Sequence, residues 1–198
     1  MSNDALQTYR DRRDFHRSPE PSGESGRKPG SRPVFVIQKH AASRLHYDLR
    51  LEIDGVLKSW AVPKGPSLDP RQRRLAIQTE DHPLEYADFE GVIPNGEYGG
   101  GTVLVWDAGT YKNQSRADDN HRMSPARALD AGKLVFELWG KKLRGRWALI
   151  HLRNNGRKRE WLLIKERDNA ADARRKPLST QPESVVSGLR IEQLPTED

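Results

Sequence analysis

The stretch Arg44–Ile53, RLHYDLRLEI, concentrates residues able to do chemistry at a spacing that can bring them together. In an extended strand, successive side chains point to opposite faces. One face would carry Leu45, Tyr47, Leu49, Leu51 and Ile53, and the other His46, Asp48, Arg50 and Glu52. Same-face neighbours lie about 6.5–7 Å apart along a strand. At that spacing an imidazole and a carboxylate can lean toward one metal ion, each ligand atom about 2.0–2.2 Å from it. His40 ends the preceding segment, VFVIQKH, and the Ala-Ala-Ser turn after it would fold that segment back as a hairpin, setting His40 beside His46. Two histidines and one carboxylate leave coordination positions open for water or substrate. Arg50, one step along the same face, carries a planar fork that matches phosphate oxygens. Its replacement by Ala is expected to cost activity and little stability. The plain alternative is a polar strand face that meets water, with Arg50 and Glu52 in surface ion pairs.

A second group follows. PKGPS puts Lys64 in a turn, and RRLAIQTEDHPLEY places Arg74, Glu80, His82 and Tyr86 in and just after another strand. Each has an ordinary reading beside the functional one: His82 before Pro83 as a turn residue, Tyr86 as core, Lys64 as a solvated turn cation. The glycines of FEGVIPNGEYGGGTVLVWDAGTY permit tight turns. They lack P-loop spacing and a Lys-Ser/Thr ending, so they do not indicate nucleotide triphosphate binding. With no cysteine, disulfides and thiolate metal sites are excluded. His16, His121 and His151 receive no role.

Short segments rich in β-branched and aromatic residues must position these groups. VFVIQKH, RLHYDLRLEI, LKSWAV, RRLAIQTE, GTVLVWD, KLVFELW, RWALIHL and EWLLIKE are punctuated by Gly, Pro, Asn and Asp. The spacing predicts a mostly β chain: a single antiparallel barrel, with a sandwich as the variant. One short helix is expected at Ser124–Ala131, with Ser124 as N-cap, Pro125 as first helical residue and Gly132 as stop. Residues 33–167 form the expected barrel domain. Residues 1–32, poor in apolar side chains after Leu6, read as a polar, partly mobile segment, and 168–198 as a polar tail or linker. The hydrophobic share of the 198 residues is 34% and mean hydropathy is −0.88, so the flanks are expected to bury little. The formal charge of +6 favours polyanionic partners such as nucleic acid. There is no apolar run of membrane-spanning length and no signal-peptide apolar region. A cytoplasmic, non-membrane protein is the expectation.

Taken together, QKHAASRLHYDLRLE, SWAVPKGPS, EDHPLEYADFEGVIPNGEYGGGTVLVWDAGTY and LRGRWALIHL closely resemble the 3′-phosphoesterase module of bacterial ligase D, the multidomain enzyme of non-homologous end joining. The likeness covers roughly residues 9–165, including RRDFHRSPEP. It implies a manganese-dependent enzyme, other divalent transition metals being admissible. Such an enzyme removes a 3′-terminal ribonucleoside and then the remaining 3′-phosphate, leaving a 3′-OH for ligation. By position it implies metal ligands at His40, His46 and Asp48, and phosphate contacts at Arg50 and His82. Lys64, Arg74 and Tyr86 would lie around the pocket, and Arg13, Asp14, Glu20 and Glu80 would contribute to activity. The implied partners are DNA primer-template 3′ ends, including those with a terminal ribonucleotide, with the ligase and polymerase modules of ligase D and the end-binding protein Ku. Two other classes fit parts of the pattern. A non-haem iron oxygenase also uses two His and one carboxylate, but Arg50 and the basic charge suit phosphate better. A non-catalytic nucleic-acid-binding barrel would not need His46. Nucleotidyl transfer is disfavoured, since Lys64 sits in PKGPS and not in Lys-x-Asp-Gly.

Overall fold

The computed structural model describes residues 4–24, 30–152 and 159–194. The strands are β1 (Val34–Ala41), β2 (Leu45–Ile53), β3 (Val56–Val62), β4 (Arg73–Gln78), β5 (Gly91–Ile93), β6 (Gly101–Asn113), β7 (Lys133–Gly140), β8 (Arg144–His151) and β9 (Arg159–Lys165). Neighbours run β1-β2-β3-β4-β9-β8-β7-β6, and β6 pairs back onto β1 along its length, so eight antiparallel strands close a barrel. Closure leaves these strands no free edge. Short β5 adds to the other edge of β6, near its start. The barrel was legible as a series of strands; β5 and the extension of β6 to Asn113 were not marked.

Local chemistry explains the hairpins. Ile53 pairs with Val56, leaving the two-residue loop Asp54-Gly55. Both residues have positive φ, 51° and 81°. That is the condition for a type I′ turn, whose twist matches the strands it joins. The expected helix is present as α2 (Pro125–Asp130): the Ser124 side chain accepts from Arg127 N, and Gly132 follows at φ 82°. Two other short helices, α1 (Gln7–Asp11) and α3 (Pro177–Thr180), lie in the flanks.

The barrel interior is apolar. Tyr47, Leu49, Leu51 and Ile53 of β2 fill it with Phe35, Trp60, Leu104, Trp106, Phe136 and Trp147. Leu45, expected on this face, lies at the strand mouth and is half exposed. A second apolar cluster sits outside the wall. Here Tyr9, Leu84, Tyr86 and Ala87 cover Val36, Leu57 and Val105. The flanks therefore bury more than their composition indicates: Tyr9 is fully buried, and its hydroxyl donates to Pro21 O at 2.7 Å. The C-terminal flank also returns to the barrel. Trp106 Nε1 donates to Gln181 O, and Val185 N to Val105 O. Among the described residues no helix is long and apolar enough to cross a membrane.

Candidate metal and phosphate site

Antiparallel pairing sets His40 directly opposite His46 and Gln38 opposite Asp48. The ring centroids of His40 and His46 are 4.7 Å apart. Asp48 lies between them, with Oδ2 3.5 Å from His40 Nδ1 and Oδ1 3.6 Å from His46 Nε2. One ligand atom from each of the three residues falls within 4.8 Å of the others. His40 Nε2 is buried without a hydrogen-bond partner among the described residues. A buried, unpartnered imidazole nitrogen beside a carboxylate and a second imidazole is what a divalent cation would satisfy, so the donor set fits a metal. The mixed imidazole–carboxylate set suits first-row divalent ions as a class. Burial works to raise the Asp48 pKa, but the Arg50 charge and the His40 and His46 contacts outweigh it, holding the carboxyl below its usual value.

Arg50 is not a surface residue; its side chain is 4% exposed. Nε donates to Gln38 Oε1 at 2.7 Å, Nη1 to Ser59 Oγ at 2.9 Å, and Nη2 to Asp48 Oδ2 at 3.3 Å. Gln38 is itself fixed by donating to the carbonyls of Tyr86 and Phe89. The guanidinium lies 4.7 Å over the Tyr86 ring. Of the five guanidinium N–H donors, one on each terminal nitrogen is left over, and the residue lines a cavity of about 160 Å³. The expectation that Arg50 matters little for folding is therefore corrected: its removal would strand Gln38, Ser59 and Asp48 in a buried setting. Glu52, next on the same face, does not join the cluster; its Oε2 accepts from Val34 N.

His82 arrives from outside the barrel. A backbone bridge to Leu57 pins it, Leu57 N to His82 O at 2.8 Å and the reverse at 3.0 Å. Its Nδ1 is 3.0 Å from Glu80 O and 3.3 Å from Ser59 Oγ. A carbonyl can only accept, so we assign the proton to Nδ1. Nε2 then offers its lone pair to Arg13 Nη2 at 3.3 Å. Burial, then the charges of Arg50 and Arg13, push the His82 pKa well down, so the ring is neutral near pH 7.

The N-terminal flank supplies the cover. Arg13 donates to Glu20 Oε1 at 2.9 Å and to Glu80 Oε1 at 3.2 Å, and its guanidinium stacks 3.9 Å from the Tyr9 ring centroid. The Arg13 and Glu20 side chains are 4% and 0% exposed. Glu20 also accepts from Tyr86 OH at 2.9 Å and from Ser18 Oγ at 2.8 Å. Burial first, then the Glu20 charge, raises the Tyr86 pKa well above its ordinary value, so the phenol stays protonated as a donor.

The cavity thus collects His40, His46, Asp48, Arg50, His82, Tyr86, Glu80, Arg13 and Glu20. Lys64, Arg74 and Asp14 lie outside its lining. Lys64 is exposed in the turn closed by Gly65 N to Val62 O. Arg74 shares the inward parity of Ala76, with Nε buried and without a partner among the described residues. Asp14 is exposed, and its carbonyl accepts from Arg17 and Ser18, shaping the turn before Glu20. Sequence reasoning missed Gln38, Ser59 and Tyr98. Gln38 could have been found by parity, two residues before His40, and Ser59 only through its pairing with Arg50. Tyr98, at the cavity mouth, shares the Glu80 carboxylate with Arg12.

A scan against family models matches residues 38–151 to the DNA Ligase D 3′-phosphoesterase domain. The chain belongs to that family. It is 50% identical over 189 residues to the multifunctional non-homologous end joining protein LigD of Pseudomonas aeruginosa, covering 94% of this chain and 22% of that protein. It is 49% identical over 153 residues to the multifunctional non-homologous end joining DNA repair protein LigD of Mycobacterium tuberculosis, covering 77% and 19%. The LigD protein of Mycolicibacterium smegmatis is 43% identical over 173 residues, covering 83% and 21%. The chain spans about a fifth of the length of these relatives. As a ligase D phosphoesterase domain, it carries the His40, His46 and Asp48 cluster near the start of the matched region.

Proposed function

We propose that this chain heals blocked DNA 3′ ends in two hydrolytic steps. In the first, water adds to the phosphorus of a 3′-terminal ribonucleoside linkage and the bond to the nucleoside 5′-oxygen breaks, giving a 3′-phosphate and a free nucleoside. In the second, water adds to that phosphate and the bond to the 3′-oxygen breaks, giving 3′-OH and inorganic phosphate. The observation that carries this reading is the meeting of a His40, His46 and Asp48 donor set with a prepositioned Arg50 in one cavity. His40, His46 and Asp48 would hold a divalent ion, manganese being the reading proposed. When bound, the ion supplies charge neutralisation for the phosphate and a lower pKa for water.

The protein's own groups have separable tasks. Arg50 offers its two uncommitted N–H groups to phosphate oxygens, from a position already fixed by Gln38, Ser59 and Asp48. Preorganised donors of this kind stabilise developing charge without moving at the moment of reaction. His82 is neutral because burial first, and then the charges of Arg50 and Arg13, oppose its protonation. A bound phosphate offsets both cations, so substrate itself favours proton uptake at Nε2, where the proton can be held for a leaving oxygen. Glu20 and Glu80 fix Arg13, and Tyr86 supports Arg50 from below. The exposed Tyr98 at the mouth is suited to contact the departing nucleoside, which is present only in the first step. DNA ends of non-homologous end joining would be the substrates, with the remaining ligase D modules and Ku as partners.

The test is an assay on a primer-template bearing one 3′-terminal ribonucleotide, with and without manganese. The expected course is metal-dependent appearance of the 3′-phosphate product, then the 3′-OH product. Cleavage of internal phosphodiesters at an equal rate would mean a nonspecific nuclease and overturn the reading.

A further inference from the structure

Away from the catalytic cavity, a larger hollow of about 560 Å³ opens where the ends of β6 and β7 meet the start of β1. Arg32, Lys112, Arg116 and Arg122 line it, together with the indole of Trp139, and no carboxylate is among the described residues that line it. Glu137, opposite Lys112 in the β6–β7 pairing, is engaged by Gln114 Nε2 at 2.9 Å. Of the five tryptophans, Trp60, Trp106, Trp147 and Trp161 are 0–3% exposed, whereas Trp139 is 41% exposed. Trp139 points outward because inward parity on β7 belongs to Leu134, Phe136 and Leu138. Its cross-strand neighbour on β8 is Arg144, also exposed. An exposed indole among cations, with no acid among the described lining residues, is a poor fit to a basic protein face or a small apolar ligand. It matches a polyanion that also carries flat π-faces.

We propose that this hollow is a second nucleic-acid subsite, which stacks an unpaired base on Trp139 and holds the adjoining phosphates among Arg32, Lys112, Arg116 and Arg122. Aromatic stacking tolerates any base, and a cationic groove tracks the backbone. Together they bind single strands without reading sequence. The register locates the subsite relative to the catalytic groups. Trp139 pairs with Thr110, and Thr110 with Val34. His40 lies six residues further along β1, about 20 Å at the usual strand rise, and Trp139 is two strands, about 10 Å, to the side. That separation corresponds to roughly six or seven nucleotides of a single strand at 3.4 Å each. The occupant proposed is the unpaired strand that continues past a DNA end whose other strand is processed in the cavity. This placement rests on the proposed 3′-end activity, whereas binding at the hollow does not require turnover.

The test is a fluorescence titration of the full chain with an oligothymidylate of about 12 nucleotides. An arm with the His46→Ala variant keeps failure of the catalytic reading distinct from failure of this one. Quenching of Trp139 emission is expected, equal in His46→Ala. Trp139→Ala, checked by its melting temperature, should bind about tenfold more weakly. Lys112→Gln with Arg122→Gln should lower the salt slope of log K by about 1.4, two contacts at about 0.7 each for a single strand. Absence of quenching, or affinity indifferent to both variants, overturns the proposal. So does binding of an abasic strand as tight as oligothymidylate, since that would leave the indole no base to stack. A shift of Trp139 emission on adding the remaining portion of the Pseudomonas aeruginosa relative, with none on adding oligonucleotide, would assign the face to a neighbouring module instead.

Discussion

Strand β2 and the start of β8 both set charged residues at successive outward positions, Asp48 and Arg50 on one and Arg144 and Arg146 on the other, and these meet opposite fates. On β8, Arg144 and Arg146 point outward into solvent, and Arg146 approaches Glu166 at 3.5 Å with its side chain 51% exposed. On β2, Arg50 approaches Asp48 at a similar 3.3 Å, with the two side chains 4% and 8% exposed. Distance alone does not separate the pairs; the cover does. Residues 9–20 and 80–86 lie over β2, and no such layer of described residues lies over Arg146. Under that cover a charge left unpaired is penalised by lost solvation, and Gln38, Ser59 and Asp48 each accept from the Arg50 guanidinium. In the open a similar pair is screened by water and contributes little. Alternation thus says which residues face outward, and only the long-range packing says whether outward means water or a site.

The sharpest break of this comparison is removal of the shared acceptor on β2. Asp48→Asn keeps the shape but takes away the charge that sits between His40, His46 and Arg50. Metal-dependent turnover should fall by more than about a hundredfold, the upper end for residues that merely support a ligand. Calorimetric titration with manganese should show the matching loss of binding. Unchanged manganese affinity would remove Asp48 from the ligand set.

Next comes a matched pair of arginine variants. Arg50→Ala should cost about 3–5 kcal/mol of stability, because Asp48, Gln38 and Ser59 lose their partner in a buried setting. Arg146→Ala should cost no more than about 1 kcal/mol. Urea unfolding of both chains measures the difference. Equal values would mean that the cover does not set the energetics. A smaller effect is expected from loosening the cover. Glu20→Gln weakens the acceptor shared by Arg13, Tyr86 and Ser18, at a cost of about 2 kcal/mol. Limited proteolysis should then cut the N-terminal flank faster than in the parent chain. An unaltered cleavage rate would show that Tyr9 packing alone holds the flank.

These contrasts also mark how far the sequence could be read. The parity of β2, the hairpin that joins His40 to His46, the α2 cap and the run of strands are local, and local rules of turn and alternation reach them. Barrel closure through β6 onto β1 and the descent of Glu20 onto Tyr86 are not local. That hydrogen bond spans 66 residues, and no periodicity encodes it. Composition misled for the same reason: one Tyr9 in a polar flank weighs little in an average, yet it anchors the cover. Arg13 and Glu20 were reached only through family resemblance, and Gln38 and Ser59 by neither route, because an amide and a hydroxyl are too common to stand out. Arg50 was found by its position, while its structural weight depended on burial that parity cannot supply.

The finest test uses His82, an imidazole whose charge the cover suppresses. Its folded pKa lies well below the ordinary 6.5, through burial first and then Arg50 and Arg13. In the unfolded chain the ring takes a proton near 6.5. As pH falls through that value the unfolded state binds a proton that the folded state refuses, so stability is lost. The contribution is fully present above about pH 6.5, declines below it, and levels off only beneath the depressed folded value. For one such residue the loss between pH 7 and pH 6 is about 0.7 kcal/mol. Asp48, held below its usual carboxylate value, acts in the same direction but at more acid pH, and the comparison of the parent chain with His82→Gln between pH 7 and pH 6 subtracts every other group. The measurement is urea unfolding at pH 7 and pH 6 with a chelator present, which removes proton competition at metal ligands. His82→Gln should flatten the pH dependence by that amount, whatever it does to stability at pH 7. An unchanged slope would mean that His82 is protonated in the folded chain, and the neutral ring beneath the cover would have to be abandoned.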